Sequence, residues 1–295
     1  MLAARLAWRR VLLGGLALAG LLHGGLSRAQ TRDGLMTLLD RMERNLKVND
    51  LEALQYTNDE LYENRNFDKH GKVTVDETSR YETVFVEGLP YRRKVEENGK
   101  PLRGKQAAAE AKRYEETVAA RRQMEVEAKR RSMLSRTWHF ELPLRYLPRL
   151  FDNRVVSHEQ VDGRDVVVVE STPRVGAIGS SAAEQSALRK KETTWVDAED
   201  AMPVRVEMTQ LVDGELLAGS TFRFDYERRK ETLAKASEGS APVWLIHHAD
   251  MKGAGKFYWM TLRFESEQTY TNYRRFRVDV RLLDDSVEVM AGAPR

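Results

Sequence analysis

The chain has 295 residues, with 48 Lys and Arg against 45 Asp and Glu, a formal charge of +3 and no cysteine. Without cysteine there is no disulfide framework, so the fold must rest on a sizeable buried core. Four arginines in the first 29 residues, where no acid occurs, account for the positive sign; without them the sum falls from +3 to −1, and a nucleic-acid partner is not expected.

Arg5, Arg9 and Arg10 precede an unbroken apolar run over residues 11–22, and Ser27-Arg28-Ala29 supplies small residues at the two positions a signal peptidase reads. A membrane-spanning helix needs about 20 apolar residues, and this run is much shorter before His23 and Arg28 interrupt it. The pattern predicts a cleaved export leader over 1–29 and a single mature domain over 30–295, periplasmic, soluble and without a transmembrane anchor. No Cys near the cleavage point could carry a lipid. Arg9-Arg10 fits twin-arginine export, but Sec leaders also carry such pairs, and the sequence does not separate the two routes.

Next, Leu35, Leu38, Leu39, Met42 and Leu46 recur at spacings of three and four, which predicts an amphipathic helix of about 15 residues laid on a sheet. From about Leu54 the period becomes two. Turn signals at Lys69-His70-Gly71, Glu87-Gly88 and Asn98-Gly99 then predict consecutive hairpins, with Phe85 among the alternating residues. Residues 105–131 are rich in Ala, Glu, Lys and Arg, and Ala107, Ala111, Tyr114 and Val118 form a stripe that fades after Arg121. This predicts a long, charged, inserted helix. Interspersed acids favour a solvated surface over a membrane-binding one, while Tyr114, Arg121 and Arg122 are candidates for contact with another envelope protein.

Pro143 can open a short helix bearing Leu144, Leu147 and Phe151, and strands over 155–161 and 166–169 flank the Asp162-Gly163 turn. The Gly/Ser/Ala-rich stretch 173–188 and residues 235–240 read as loops. Further strands are expected over 193–197, 204–211, 216–226, 243–251, 256–264 and 271–282. The sum is an α+β fold, mainly β: a curved antiparallel sheet or incomplete barrel of about ten strands. Parity sorts its faces. Val204, Val206 and Met208 oppose Arg205, Glu207 and Thr209; Phe222, Phe224 and Tyr226 oppose Arg223, Asp225 and Glu227; Phe276, Val278, Val280 and Leu282 oppose Arg275, Arg277, Asp279 and Arg281. One helix of about 22 Å cannot cover the apolar face of such a sheet.

Motifs for chemistry are weak. Gly253-Ala254-Gly255-Lys256 would be a phosphate loop only with Gly at 250 and Ser or Thr at 257, where Asp250 and Phe257 stand, so a hairpin turn is expected instead. Adjacent His247 and His248 point to opposite faces of a strand and cannot readily share one metal ion. Gly179-Ser180-Ser181 lacks the strand-to-helix setting of a nucleophile elbow. No enzyme, metal site or cofactor is expected.

The order of parts resembles the LolA/RseB-like superfamily of periplasmic proteins. The resemblance is carried by the leader, the first helix, the meander, the hairpin over 155–161, Asp162-Gly163-Arg164 and 166–170 ending at Pro173, then Trp195-Val196-Asp197 and Ala201-Met202-Pro203-Val204-Arg205, and finally 253–264 and Tyr270 to Phe276. It spans most of the mature chain, and its motifs are degenerate; the helix over 105–131 departs from the compact carrier pattern. The resemblance implies a half-barrel whose hollow holds a lipid or the acyl chains of a lipoprotein, as carrier or sensor. Phe85, Phe222, Phe224, Tyr226, Phe276 and Val278 are then the lipid-binding candidates. The alternative is an interaction or regulatory module with a closed core that meets its partner through the charged helix.

Overall fold

The computed structural model describes residues 32–125, 128–129, 143–214, 216–229, 242–257, 260–275, 279–283 and 286–290. The expected leader over 1–29, the expected loop over 235–240, Phe276 and Val278 lie outside the described residues. No described helix is long and apolar enough to cross a membrane.

Helix α1, Arg32–Ala53, is longer than its apolar stripe and places Leu35, Leu38, Leu39, Met42 and Leu46 in the core. Four strands follow: β1 (Tyr56–Phe67), β2 (Val73–Val86), β3 (Leu89–Glu97) and the two-residue β4 (Lys100–Pro101). Their tight turns place Glu87 and Gly88 at φ 50° and 79°, and Asn98 and Gly99 at 51° and 72°. Two consecutive positive φ angles define the type I′ turn, which matches the twist of paired strands and needs Gly or Asn-like residues.

Helix α2, Gly104–Arg122, closes well short of residue 131, at a C-cap on Gln123. It ends where its apolar stripe fades. The helix covers the edge that two-residue β4 leaves open on β3. Arg113 donates to the Arg92 carbonyl at 3.1 Å, and the Tyr91 hydroxyl donates to Glu110 at 2.8 Å. An uncovered strand edge is a template for unwanted pairing.

After a turn over 143–146 come α3 (Leu147–Leu150), β5 (Phe151–Val161) and β6 (Arg164–Pro173). Phe151 opens the strand rather than extending the short helix, and is 1% exposed. The expected 173–188 loop contains a helix, α4 (Ala182–Ala187). Composition conceals it, but the Ser181 hydroxyl accepts from the Glu184 amide at 3.2 Å, the N-cap arrangement that starts helices.

The remaining strands are β7 (Lys190–Asp197), β8 (Pro203–Gln210), β9 (Thr221–Arg229), β10 (Val243–Phe257) and β11 (Met260–Arg275), with a separate hairpin of β12 (Asp279–Leu283) and β13 (Ser286–Met290). Three expectations are corrected here. β9 starts at Thr221, and Leu216 makes only a lone bridge to Gly255. Gly253 to Phe257 is the last stretch of β10, not a turn, and the hairpin closes where Phe257 pairs Met260. A Cβ at position 253 would strike the Ser220 side chain, so the glycine reflects a cross-strand approach. The last expected strand divides, since β11 runs on to Arg275 and Asp279 starts the separate hairpin.

The main sheet is antiparallel and eleven-stranded, in the order β4-β3-β2-β1-β11-β10-β9-β8-β7-β6-β5. Its edges β4 and β5 do not pair, so it stays an open curved sheet, as the alternating pattern predicts. The main core lies where α1, the 143–150 segment and α4 rest on strands β5 to β10, with Leu147, Val169, Val196 and Val206 among its buried residues. α1 is fixed at its C-terminal end by Asn49, whose side-chain amide donates to the Trp244 carbonyl at 2.9 Å and accepts from its amide at 2.7 Å. Buried Asp50 forms an ion pair with Arg145, linking α1 to the 143–146 turn.

Candidate functional site

Directly opposed residues of an antiparallel sheet share one face, so the register can be followed from strand to strand. One rung runs Val155, Val169, Thr194, Val206, Phe224, Ala249, Gln268, Tyr62, Ser79. Its neighbour runs Ser171, Glu192, Met208, Phe222, Met251, Ser266, Asn64, Glu77. The face that carries the core is mostly apolar from β5 to β10 and polar from β11 through β1 to β2.

A cavity of about 690 Å³ sits at that boundary. Its floor is Met208, Phe222, Phe224, Ala249 and Met251, and Ser266 and Gln268 of β11 continue it. Met208, Phe224 and Ala249 are 5–6% exposed. Ala182, Gln185, Arg189 and Gly214, all exposed, form the mouth, with Ser186, Lys190, Gln210 and Leu216 behind them. The volume falls within the usual range of small-molecule sites, about 300–1,000 Å³. An apolar floor beneath a mouth of amides and cations suits an amphiphile: a chain below and a polar head at the opening.

The mouth is anchored. Arg189 donates to the Asp213 carbonyl at 3.2 Å, and the Leu211 amide donates to the Arg189 carbonyl at 2.7 Å. Lys190 donates to the Ser186 carbonyl at 3.1 Å. On α4, Glu184 accepts from the Ser180 amide at 2.6 Å and from Arg149 at 2.8 Å. These bonds position the helix that forms one wall.

Glu192 occupies the same rung as Met208 and Phe222, 1% exposed. Burial pushes its carboxyl up to about 8, against the opposing pull of a hydrogen bond from the Thr194 hydroxyl. Its Oε2 has no hydrogen-bond partner. A lone carboxyl in an apolar surround avoids charge by keeping its proton, so the group is neutral near pH 7.

The polar half of the face is built differently. Arg92 grips Glu60 through two hydrogen bonds of 2.6 Å, and its guanidinium lies 3.3 Å from the Tyr81 ring centre and 5.4 Å from that of Tyr62. Burial works against the Arg92 charge, yet the Glu60 hydrogen bonds outweigh it and raise the guanidinium pKa further. Lys94 bonds Glu77 at 2.9 Å and lies 3.2 Å from Glu97. Burial pushes the phenols of Tyr270 and Tyr273 far above the ordinary tyrosine range.

The outer face shows the expected charged parity, with one addition. Asp225 is only 7% exposed and accepts from Arg205 at 2.6 Å and Arg223 at 2.8 Å. Burial alone would raise its pKa; the two arginines hold it below the usual carboxylate range. At His247 the simple alternation fails, because the β9–β10 register shifts between Ile246 and His248. The extra residue of a bulge has no partner across the ladder. Among the described residues no three His, Asp or Glu side chains are placed to hold one metal ion, although His248 lies 3.8 Å from Asp250 and from Glu267.

The candidates read from sequence divide among these regions. Phe222 and Phe224 line the cavity, whereas Tyr226, on the same face, packs in the core beneath the helices. Phe85 lies on β2, paired with Pro90 and away from the cavity. Of the helix candidates, Tyr114 meets Tyr91 edge-to-face at 5.4 Å. Buried Arg121 donates to the carbonyls of Val86, Leu89 and Pro90 at 2.8–3.2 Å. Exposed Arg122 bonds Glu87 at 2.9 Å. The mouth residues Gln185, Arg189 and Gly214 escaped the sequence reading; the Ser181-x-x-Glu184 cap was the signal that a helix stood there.

No protein-family profile and no curated protein matches the chain. Its fold is similar to several solved structures at low identity. One, described as an outer membrane lipoprotein-sorting protein domain from Vibrio parahaemolyticus, is 12% identical with a TM-score of 0.34, over 84% of this chain and 96% of that one. A LolA superfamily protein from Nitrosomonas europaea is 12% identical with a TM-score of 0.28, over 84% and 94%. MucB, in its complex with MucA from Pseudomonas aeruginosa, is 13% identical with a TM-score of 0.19, over 82% and 99%.

Proposed function

We propose that the protein is a non-enzymatic carrier or sensor of the cell envelope that binds a lipid or an acylated ligand in the hollow of its curved sheet. The observation that carries this reading is the cavity of about 690 Å³, floored by Met208, Phe222, Phe224, Ala249 and Met251 and opening between Gln185, Arg189 and Gly214. Each methylene moved from water onto that floor contributes about 0.8 kcal/mol. About twenty of them, roughly 16 kcal/mol, offset an association cost on the order of 4–15 kcal/mol with no catalytic group involved. Gln185, Gln210 and Arg189 supply donors for a polar head.

Protein purified gently from its own envelope should carry a bound lipid of defined mass in native mass spectrometry. Ala249→Phe, which projects a ring into the hollow, should lose that mass while still unfolding cooperatively. Repeatedly empty wild-type protein, or an undiminished lipid load in the variant, would sink the reading.

A further inference from the structure

Apart from Val48 on α1 and Val156 on β5, the exposed large aliphatic side chains among the described residues all lie at one end of the sheet. This is the end where β1 turns into β2, β6 leads to α4, β8 leads to β9 and β10 turns into β11, and the cavity opens there. Val175 and Ile178, between β6 and α4, are 97% and 87% exposed. Leu211 and Val212 follow β8 and are 43% and 52% exposed. Only β7 separates the two loops, which puts the ends of their strands about 10 Å apart.

These tips are held out by the structure. The Ala177 amide donates to the Arg174 carbonyl at 3.0 Å and Gly176 has φ 79°, so Val175 stands at the corner of a type II turn, which requires that glycine. Arg174 fastens the turn from below, donating to the carbonyls of Arg149 at 3.0 Å and Phe151 at 3.1 Å. Gly179 sits so close to α4 that a Cβ there would lie 2.6 Å from the Gln185 amide nitrogen. The second loop is tied to the connection between α4 and β7 by the Leu211 to Arg189 bond.

Arg174, Arg189, Lys190 and Lys191 lie in or beside the two loops; of the acids there, Glu184 is buried against Arg149, Asp152 pairs with Arg174, and Asp213 follows Val212, so cations outnumber acids. Aliphatic points among cations are what an anionic bilayer surface accepts: side chains enter the head-group boundary while lysines and arginines meet lipid phosphates. A protein partner would instead call for a contiguous, packed patch with aromatic anchors. Side chains exposed to 97% and 87% line no groove.

We propose that this rim, led by Val175, Ile178, Leu211 and Val212, docks the protein on an anionic lipid bilayer and sets the cavity mouth against the lipid. The inference does not depend on what fills the cavity. Flotation with phosphatidylglycerol/phosphatidylcholine vesicles should carry the wild-type protein upward, with less recovery on pure phosphatidylcholine and at high salt. The paired changes Val175→Asp and Ile178→Asp should weaken binding about tenfold or more with an unchanged melting temperature, and the paired serine changes should do the same without added charge. Ala249→Phe should still float, so an empty cavity and a failed docking surface are told apart. Wild-type protein that ignores both vesicle types, variants that float as well as wild type, or a Val175-dependent dimer in place of vesicle binding would each overturn the proposal.

Discussion

The two halves of the core-bearing face teach different lessons about how a sheet is satisfied. From β5 to β10 the face is largely apolar and is covered by α1, the 143–150 segment and α4, leaving the hollow at one margin. From β11 to β3 it is polar: Arg92 pairs with Glu60 and lies over Tyr62, Lys94 bonds Glu77, and the Tyr270 hydroxyl donates to Gln268. Helices stabilise the first half by area removed from water; the second is stabilised by paired charges and rings and needs no helical lid. Strain, pH and mutation should therefore act on them differently.

The largest contrast is expected at the helical cover. Arg145 and Asp50 are both nearly fully buried, and burial pulls the Arg145 pKa down. Arg145→Ala would leave Asp50 charged in the core, and urea unfolding should show a loss of about 3–5 kcal/mol. A loss under about 1 kcal/mol would mean that water reaches the pair after all.

A smaller effect of opposite sign is expected at Glu192. Its folded pKa is raised to about 8 from the ordinary 4.5. The proton is therefore held by the folded state and lost by the unfolded one between those values. Its favourable contribution is complete below pH 4.5 and declines as pH rises towards 8. Glu192→Gln, which mimics the protonated acid, should be more stable than wild type by roughly 3 kcal/mol at pH 7–8 and nearly equal to it at pH 4. Parallel pH–stability curves for the two proteins would show that Glu192 ionises freely.

The smallest change should come from Arg92→Lys in the polar half. Lysine keeps the charge but cannot bond Glu60 twice or stack on Tyr81, and a cost of about 1–2 kcal/mol is expected. Cavity binding measured on the same variant should stay as it was, since none of these side chains lines the hollow. A weaker ligand complex would mean that the two halves act as one.

What could be read in the sequence was local. The α1 stripe and the paired turn residues at Glu87-Gly88, Asn98-Gly99 and Asp162-Gly163 act through their own few neighbours, and each led to the right element. The parity of Met208, Phe222 and Phe224 likewise pointed to residues of the apolar floor. Non-local causes stayed hidden. Gly253 looks like a turn until Ser220, just ahead of β9, is seen against it. Glu60, Tyr81 and Arg92 look like ordinary strand residues until three strands bring them together. The cavity mouth depended on α4, whose single turn and a half is masked by Gly, Ser and Ala around it.

The seam between β1 and β11 also governs how the molecule can come together. It joins Asp59 to Asn272, 213 residues apart in the chain, in the middle of the sheet. Strands β5 to β11 can zip up in sequence, each beside its predecessor, but the first four strands stay detached until the last long one is in place. Closing so large a loop makes this union a late and slow step. Until it happens, β1 presents twelve residues of unpaired edge, which makes the interval before closure the period in which the chain most needs shielding from its own kind.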